Sequence, residues 1–411
     1  MQNEKIKAAY VMNPLAPGAM DKIYGLTVLE RTLHALARGG VDAIFLPGGS
    51  SARMAAIVLG GRIDADIHFS ENILAELPPN VDGLLVVEAP LVFDPKVTQV
   101  FFEINKTGTA VHVLPKKEMA YMPAQALAKL KAKELPEKKG LAAWLHAARE
   151  EGISIEETDF PGLLCMPIRT AEDKTTVKKA LIRNLVKPTD GWVSKNLNRP
   201  ISTSISRILA HTSITPNQFT VLTGLFGLAT GVFAAMGGYW NFLMAGALFH
   251  LTSILDGVDG ELARLKFQSS PFGQWLDTLV DNLSYIAGLA GIVIGIYRTG
   301  ASDAVKIAAV LSVVFVVLAL GSLYLYLLRF KSGGTLLNVK YSFQDANGWA
   351  ARIMQTAAAF GKRDLFALVF FLLAIVGQLP MALGYIAIMA FFVFAFSLQA
   401  HYAAAKMRRM T

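Results

Sequence analysis

Charge is scarce in this chain. Only 17% of its 411 residues are Asp, Glu, Lys or Arg, against about a quarter in soluble domains. Mean hydropathy is +0.43. A wholly soluble protein is therefore excluded. Cysteine is nearly missing too. Cys165 stands alone, which excludes a disulfide-stapled module. No polar stretch interleaves Lys/Arg with aromatics, so the net charge of +8 does not point to nucleic acid. The opening MQNEKIKAAYVMN lacks the apolar core of a signal peptide, which leaves the N-terminus expected in the cytosol. Hydrophobic residues at 53% exclude a disordered tail.

Residues 1–200 hold 23 of the 31 carboxylates and 25 of the 39 Lys/Arg; residues 201–411 hold 8 and 14. The first half thus reads as soluble. AAYVM, DAIFLP and DGLLVVEAPLVF are candidate buried strands. LTVLERTLHALARGG repeats Val28, Leu29, Leu33 and Leu36 at helical spacing and stops at Gly39-Gly40. Strand–helix–strand alternation predicts an α/β layer domain. Residues 124–150 read as a charged, solvated helix.

The second half predicts an all-α membrane domain. Six apolar stretches run at about 217–238, 241–262, 274–297, 304–328, 364–383 and 384–404, each near the ~20 residues that span a bilayer. Arg264 and Lys266 lie between the second and third. Arg329, Lys331, Lys340, Arg352, Lys362 and Arg363 lie between the fourth and fifth, and Lys406, Arg408 and Arg409 in the tail. The positive-inside rule then puts both termini and the soluble domain in the cytosol. Before the spans, Ile201, Ile205, Ile208 and Leu209 share one helical face, predicting an amphipathic helix on the membrane surface or a linker helix. The expected domains are 1–180, a linker with surface helix at 181–216, and 217–411.

Five of the eight carboxylates of the second half fall in SILDGVDGELARLKFQSSPFGQWLDTLVDNLSY. Ionisable groups at membrane depth are functional by default. Asp256 and Asp259 are three apart, Asp277 and Asp281 four apart, so each pair shares a helical face. A short loop joins the two faces. Four converging carboxylates require cations between them, and hard oxygens suit Mg²⁺ or Mn²⁺. Such a site binds phosphate oxygens in two-metal enzymes. Gly257, Gly260, Ala263 and Gly273 keep bulk low around it. A divalent-cation transporter is the competing class, although transport carboxylates usually lie at mid-bilayer.

The pattern Asp256-x2-Asp259-Gly260-x2-Ala263-Arg264-x8-Gly273-x3-Asp277-x3-Asp281 resembles the full signature of the CDP-alcohol phosphotransferase family. The likeness covers roughly residues 185–411. Within the family, TDGWVSKNLNRPIS and ITPNQFT are most similar to archaeal di-myo-inositol-phosphate-phosphate synthases and phosphatidylinositol-phosphate synthases. The resemblance implies that Asp256, Asp259, Asp277 and Asp281 hold two divalent ions, with Asp281 also the catalytic base. It implies that Asn217, Thr220, Gly260, Ala263, Arg264, Ser270 and Gly273 bind the CDP moiety. Arg329, Lys331, Lys362 and Arg363 are candidates for an acceptor phosphate, or simple positive-inside flanks. The family's members also suggest a homodimer packed through the spans.

The first half resembles the nucleotidyltransferase domain fused to such membrane halves, through KIYGLTVLERTLHALARGGVDAIFL. Its chemical parts depart from that pattern. MNPLAPGAMDK stands where a Gly-rich triphosphate loop belongs, and Pro90 of VVEAPLVFD where a metal-binding Asp belongs, with Glu88 and Asp94 nearby. An inactive domain is expected. Gly48-Gly49-Ser50-Ser51-Ala52-Arg53 reads as a turn.

The expected activity is transfer of a phospho-alcohol group from CDP-diacylglycerol or CDP-inositol to a hydroxyl acceptor such as inositol phosphate, releasing CMP. Phospholipid synthesis is favoured. A bifunctional cytidylyltransferase/phosphotransferase making di-myo-inositol phosphate is the alternative.

Overall fold

A computed structural model describes residues 5–50, 63–104, 108–131, 140–330 and 362–410. The chain divides into two compact units, residues 1–184 and 185–411.

The first unit is built on strands β1 (Ile6–Val11), β2 (Lys22–Ile23), β3 (Leu26–Thr27), β4 (Ala43–Pro47), β5 (Asp66–Ser70), β6 (Val81–Val87), β7 (Leu91–Phe93), β8 (Val111–Val113), β9 (Met119–Pro123), β10 (Ile155–Glu157) and β11 (Cys165–Pro167). Seven of them form one sheet in the order β10-β8-β9-β6-β1-β4-β5. β1 runs parallel to β4 and β6, and β4 to β5, whereas β9 is antiparallel to β6. Central parallel strands are covered on both faces, which is why β1 and β6 read as continuous apolar runs rather than alternating ones.

Helix α1 (Val28–Arg38) begins where Thr27 and Glu30 cap each other's backbone N–H groups. Val28, Leu29, Leu33 and Leu36 are all fully buried. Helices α2 (Ile73–Glu76) and α3 (Pro95–Ile104) follow. The stretch 124–150 is two helices among the described residues, α4 (Ala124–Lys131) and α5 (Gly140–Glu150). It is more than a solvated face. Leu127, Leu130, Leu141 and Trp144 are buried in the sheet's core, because the charges fall on only one side of each helix. Gly48–Ser50 is a 3-10 turn; residues 51–53 of the sequence run lie outside the described residues. Helix α6 (Ala171–Arg183) ends this unit.

The second unit is helical: α7 (Arg199–Leu209), α8 (Pro216–Met236), α9 (Tyr239–Leu265), α10 (Pro271–Thr299), α11 (Asp303–Phe330), α12 (Arg363–Ile375) and α13 (Ala382–Met410). Among the described residues, five helical stretches are long and apolar enough to cross a membrane: α8, α9, α10, Asp303–Tyr326 and Leu379–Tyr402. The expected stretch 364–383 is divided instead. α12 has 13 residues and stops before Gly377, whose φ is +72°, and a 3-10 turn at Leu379–Met381 leads into α13. A left-handed glycine and Pro380 end the helix, which apolar composition alone does not reveal.

Close backbone approach sets the packing. An added Cβ on Gly291 would lie 2.2 Å from the Gly231 carbonyl oxygen, and one on Gly295 2.1 Å from that of Ala234. Small residues thus let α8 and α10 touch along their length. α12 packs on α9, and α11 pairs with α13. A phenylalanine group, with Phe249 against Phe370 at 5.6 Å and Phe366 at 5.9 Å, fills the centre.

In α7 the polar side faces inward. Ser202, Thr203 and Ser206 are buried, while Ile201 is 42% and Ile208 69% exposed. This inverts the usual arrangement of a helix on a water-soluble core.

Candidate active site

The site forms where α9 ends and α10 begins. Ser270 caps α10 by accepting a hydrogen bond from the Gly273 N–H at 3.0 Å, and Pro271 takes the first helical position. The resulting tight connection sets the carboxylates of both helices face to face. Carboxylate oxygens of Asp256, Asp277 and Asp281 come within 4.8 Å of one another. Three hard, anionic oxygen donors at this spacing fit a divalent cation such as Mg²⁺ or Mn²⁺.

Asp259 is placed differently. It is buried and accepts a hydrogen bond from the Thr220 hydroxyl at 2.6 Å and another from the Gly260 N–H. It therefore sits beside the cluster of three, tied to α8. Asn217, one turn before Thr220, has its Oδ1 2.9 Å from where a Gly273 Cβ would be. Gly273 thus makes room for Asn217. Thr215 and Gln218 cap α8 reciprocally and fix both residues. Arg264, one turn after Gly260, donates to the Leu185 carbonyl at 3.4 Å, and its Nε is buried without a partner. Ala263 is half-buried between them.

Arg363, the first residue of α12, closes the cluster. Its Nη1 lies 2.5 Å from Asp256 Oδ1 and 2.6 Å from Asp281 Oδ1. Its guanidinium packs 5.3 Å from the Tyr285 ring centre. Lys362 donates to the Thr189 carbonyl at 3.1 Å, and Asp364 accepts from the Ser194 N–H at 2.7 Å. A polar cavity of about 240 Å³ opens here, lined among others by Asp190, Asn198, Arg199, Asp256, Lys362 and Arg363. Arg329, exposed in the last turn of α11, is not among its lining residues. Lys331 lies outside the described residues.

A second cavity, about 680 Å³ and apolar, lies among the spans. Asn282 and Tyr285 line it beside Asp281, and Gly288, Ile292, Phe370 and Ala390 line it further along.

One buried network escapes sequence reading. Glu261 is fully buried. It accepts from Arg199 Nη1 at 2.5 Å, from Ser202 at 2.7 Å and from Ser206 at 2.6 Å. Arg199 also makes a two-pronged contact to Asp190, at 2.8 and 3.1 Å. Gly257 leaves the space, since its Cβ would sit 3.0 Å from Arg199 Nη1. The signal in the sequence was an Arg followed by regularly spaced Ser/Thr on the face of α7 opposite its isoleucines.

Comparison with known proteins agrees with this geometry. Residues 213–400 match the CDP-alcohol phosphatidyltransferase family. The chain is 40% identical over 136 residues to a bifunctional IPC transferase and DIPP synthase of Aquifex aeolicus, covering 33% of this chain and 31% of that one. It is 26% identical over 322 residues to the protein of that description in Rubrobacter xylanophilus, covering 68% of this chain and 73% of that one. It is 37% identical over 92 residues to an archaetidylinositol phosphate synthase of Pyrococcus horikoshii, covering 22% of this chain and 47% of that one. The match thus spans about a third of the Aquifex aeolicus relative's own length. The helical unit is thus similar to the CDP-alcohol phosphatidyltransferase family over residues 213–400, and its carboxylates Asp256, Asp259, Asp277 and Asp281 lie within that match.

Proposed function

We propose that this chain is a membrane-embedded, divalent-metal-dependent CDP-alcohol phosphotransferase. It moves a phospho-alcohol group from a CDP-linked donor to a hydroxyl acceptor and releases CMP. The observation that carries this reading is the convergence of Asp256, Asp277 and Asp281 within 4.8 Å. Asp256, Asp259, Asp277 and Asp281 hold two ions, Mg²⁺ or Mn²⁺. When bound, these neutralise the diphosphate and make CMP a better leaving group. Asp281 takes the proton of the attacking hydroxyl as general base. Asn217, Thr220, Gly260, Ala263, Arg264, Ser270 and Gly273 surround the CDP moiety. Lys362 and Arg363 supply positive charge for a phosphate on the acceptor, inositol phosphate being the favoured one.

The apolar cavity supports a lipid donor, CDP-diacylglycerol. It begins at Asn282, next to Asp281, and its volume of about 680 Å³ is in the ~300–1,000 Å³ range of ligand pockets. The product is then a phospholipid. α7 lies on the membrane surface with its isoleucines in the lipid, α12 completes a six-span bundle, and the termini and site face the cytosol. A homodimer is the expected assembly. The domains are 1–180, 181–216 and 217–411.

The first unit acts as an inactive nucleotidyltransferase-like domain. Two carboxylates near the expected metal position have structural partners. Glu88 accepts from the Leu141 N–H and from Asn13; Asp94 accepts from the Lys96 N–H at 2.9 Å. The loop after β1 is packed shut at Gly18, where a Cβ would meet the Ile168 carbonyl at 2.3 Å. The bifunctional alternative, supported by the description of the relatives, requires CTP turnover by this unit.

The test is CMP release by the purified chain in detergent with Mg²⁺ or Mn²⁺. CDP-diacylglycerol and CDP-inositol are crossed with inositol and inositol 1-phosphate, and Asp281→Asn is the blank. CMP from CDP-diacylglycerol, lost in the variant, is the expected result. CMP from CDP-inositol alone favours the soluble product. No CMP from any pair, with metal still bound, favours a cation transporter.

A further inference from the structure

The two neighbours of Arg363 fix its backbone. Lys362 holds the Thr189 carbonyl and Asp364 the Ser194 N–H. Its own side chain is held differently, by the charges of Asp256 and Asp281 and by the Tyr285 ring. The guanidinium uses one nitrogen, Nη1, for both carboxylates, and Nε is buried with no hydrogen-bond partner. The oxygens it takes belong to two of the three carboxylates that converge within 4.8 Å.

A carboxylate oxygen engaged by a guanidinium N–H is a weaker ligand for a divalent ion, and two cations at one site repel. Arg363 also lines the polar cavity. There Asn198 Oδ1 is buried and without a partner, an acceptor of the kind that a guanidinium lacking one hydrogen bond needs.

We propose that Arg363 is a tethered counter-ion that competes with divalent metal for Asp256 and Asp281, so that metal binding turns its guanidinium into the polar cavity beside Lys362 and Asn198, where it holds the acceptor's anionic group. This rests on the metal site of the proposed function and adds a coupling to it. Metal frees the arginine for the anion. By linkage, the anion draws the arginine off the carboxylates and raises metal affinity by the same factor. The order of loading then protects the site, since the carboxylates are never left facing one another without a cation.

The test is Mn²⁺ titration of the purified full chain, read by electron paramagnetic resonance of the free ion. Sulfate serves as the anion probe, with chloride at equal ionic strength as control. Saturating sulfate is expected to tighten Mn²⁺ binding by roughly 5–150-fold, the usual span of coupling between sites. Arg363→Gln is expected to bind Mn²⁺ more tightly than the native chain without sulfate, and to lose the sulfate response. Arg363→Lys keeps the charge and is expected to restore part of the competition. Sulfate without effect on the native chain overturns the proposal, and this arm needs no variant to fold. Folded Arg363→Gln that binds Mn²⁺ no more tightly also overturns it. The proposed reaction fails separately, if coupling is present but no donor yields CMP.

Discussion

Single residues in the helical unit carry costs far above their share of the chain. Glu261 is one. Its two oxygens take three hydrogen bonds, from Arg199, Ser202 and Ser206, while Asp190 holds the other side of the guanidinium. Removing one partner of a buried pair leaves the other charged and unpaired, which costs about 3–5 kcal/mol. Glu261→Ala is therefore expected to lower unfolding stability in detergent by about that much. Arg199→Ala in the same background should cost less than it does alone, because the Glu261 pair is already broken and only the Asp190 contact remains to be lost. Additive losses in that cycle would show that the two residues act apart. The sequence analysis left Glu261 out of the four metal carboxylates, Asp256, Asp259, Asp277 and Asp281, but gave it no role of its own. Glu261 lies only two residues from Asp259, and what divides their roles is the helical rotation that turns one toward Thr220 and the other toward α7.

At the scale of elements, the contact between α8 and α10 depends on residues with no side chain to offer. Gly291 and Gly288 are one turn apart on α10, yet they differ. A Cβ on Gly291 meets the Gly231 backbone at 2.2 Å, whereas one on Gly288 finds its nearest neighbour, Thr230 Cγ2, at 4.0 Å. Gly291→Leu is expected to push the helices apart and cost about 1–3 kcal/mol, as overpacking does. Gly288→Ala is expected to be neutral or slightly stabilising, since alanine favours the helix by about 1 kcal/mol over glycine. Thermal unfolding of the two variants in the same detergent checks the contrast. Equal losses would remove close packing as the reason. The apolar stretches were legible as helices, apart from the break near Gly377 and Pro380. Gly227-x3-Gly231 and Gly291-x3-Gly295 have the small-residue spacing of closely packed spans, but that spacing does not say which helix each pair meets, nor that Gly288 has room to spare.

At the scale of the whole molecule, the two units answer to different conditions. The helical unit is expected to respond to divalent cations at Asp256, Asp277 and Asp281. The α/β unit has a buried histidine, His34 of α1, whose imidazole burial holds below its ordinary range; nearby Glu30 opposes that shift and Arg38 adds to it. Below about pH 6.5 the unfolded chain protonates this histidine, while the folded unit resists. The unfolded state then binds more protons, so stability rises with pH and is lost as pH falls through that range. Hydrogen exchange over Val28–Arg38 is expected to quicken at pH 5.5 relative to 7.5, after correction for intrinsic rates. His34→Gln should flatten the difference. A native chain with no such difference would show that α1 opens without exposing His34.

Some properties follow from order along the chain alone. The uneven charge separates a polar half from an apolar one. The apolar stretches are helical because, within a single segment of about 20 residues, only a helix satisfies its own backbone hydrogen bonds in lipid. The Asp spacing puts each pair on one face of its helix. Those are local or compositional facts, and the sequence contains them. The tertiary structure decided which charges meet. Arg363 lies 82 residues from Asp281, and Arg199 lies 62 from Glu261. Such pairings depend on how helices cross, which the glycine contacts and the caps at Thr215 and Ser270 set. Pairing across long separations has no periodicity to read, and so only the folded chain shows that an arginine shares the oxygens of the carboxylate site.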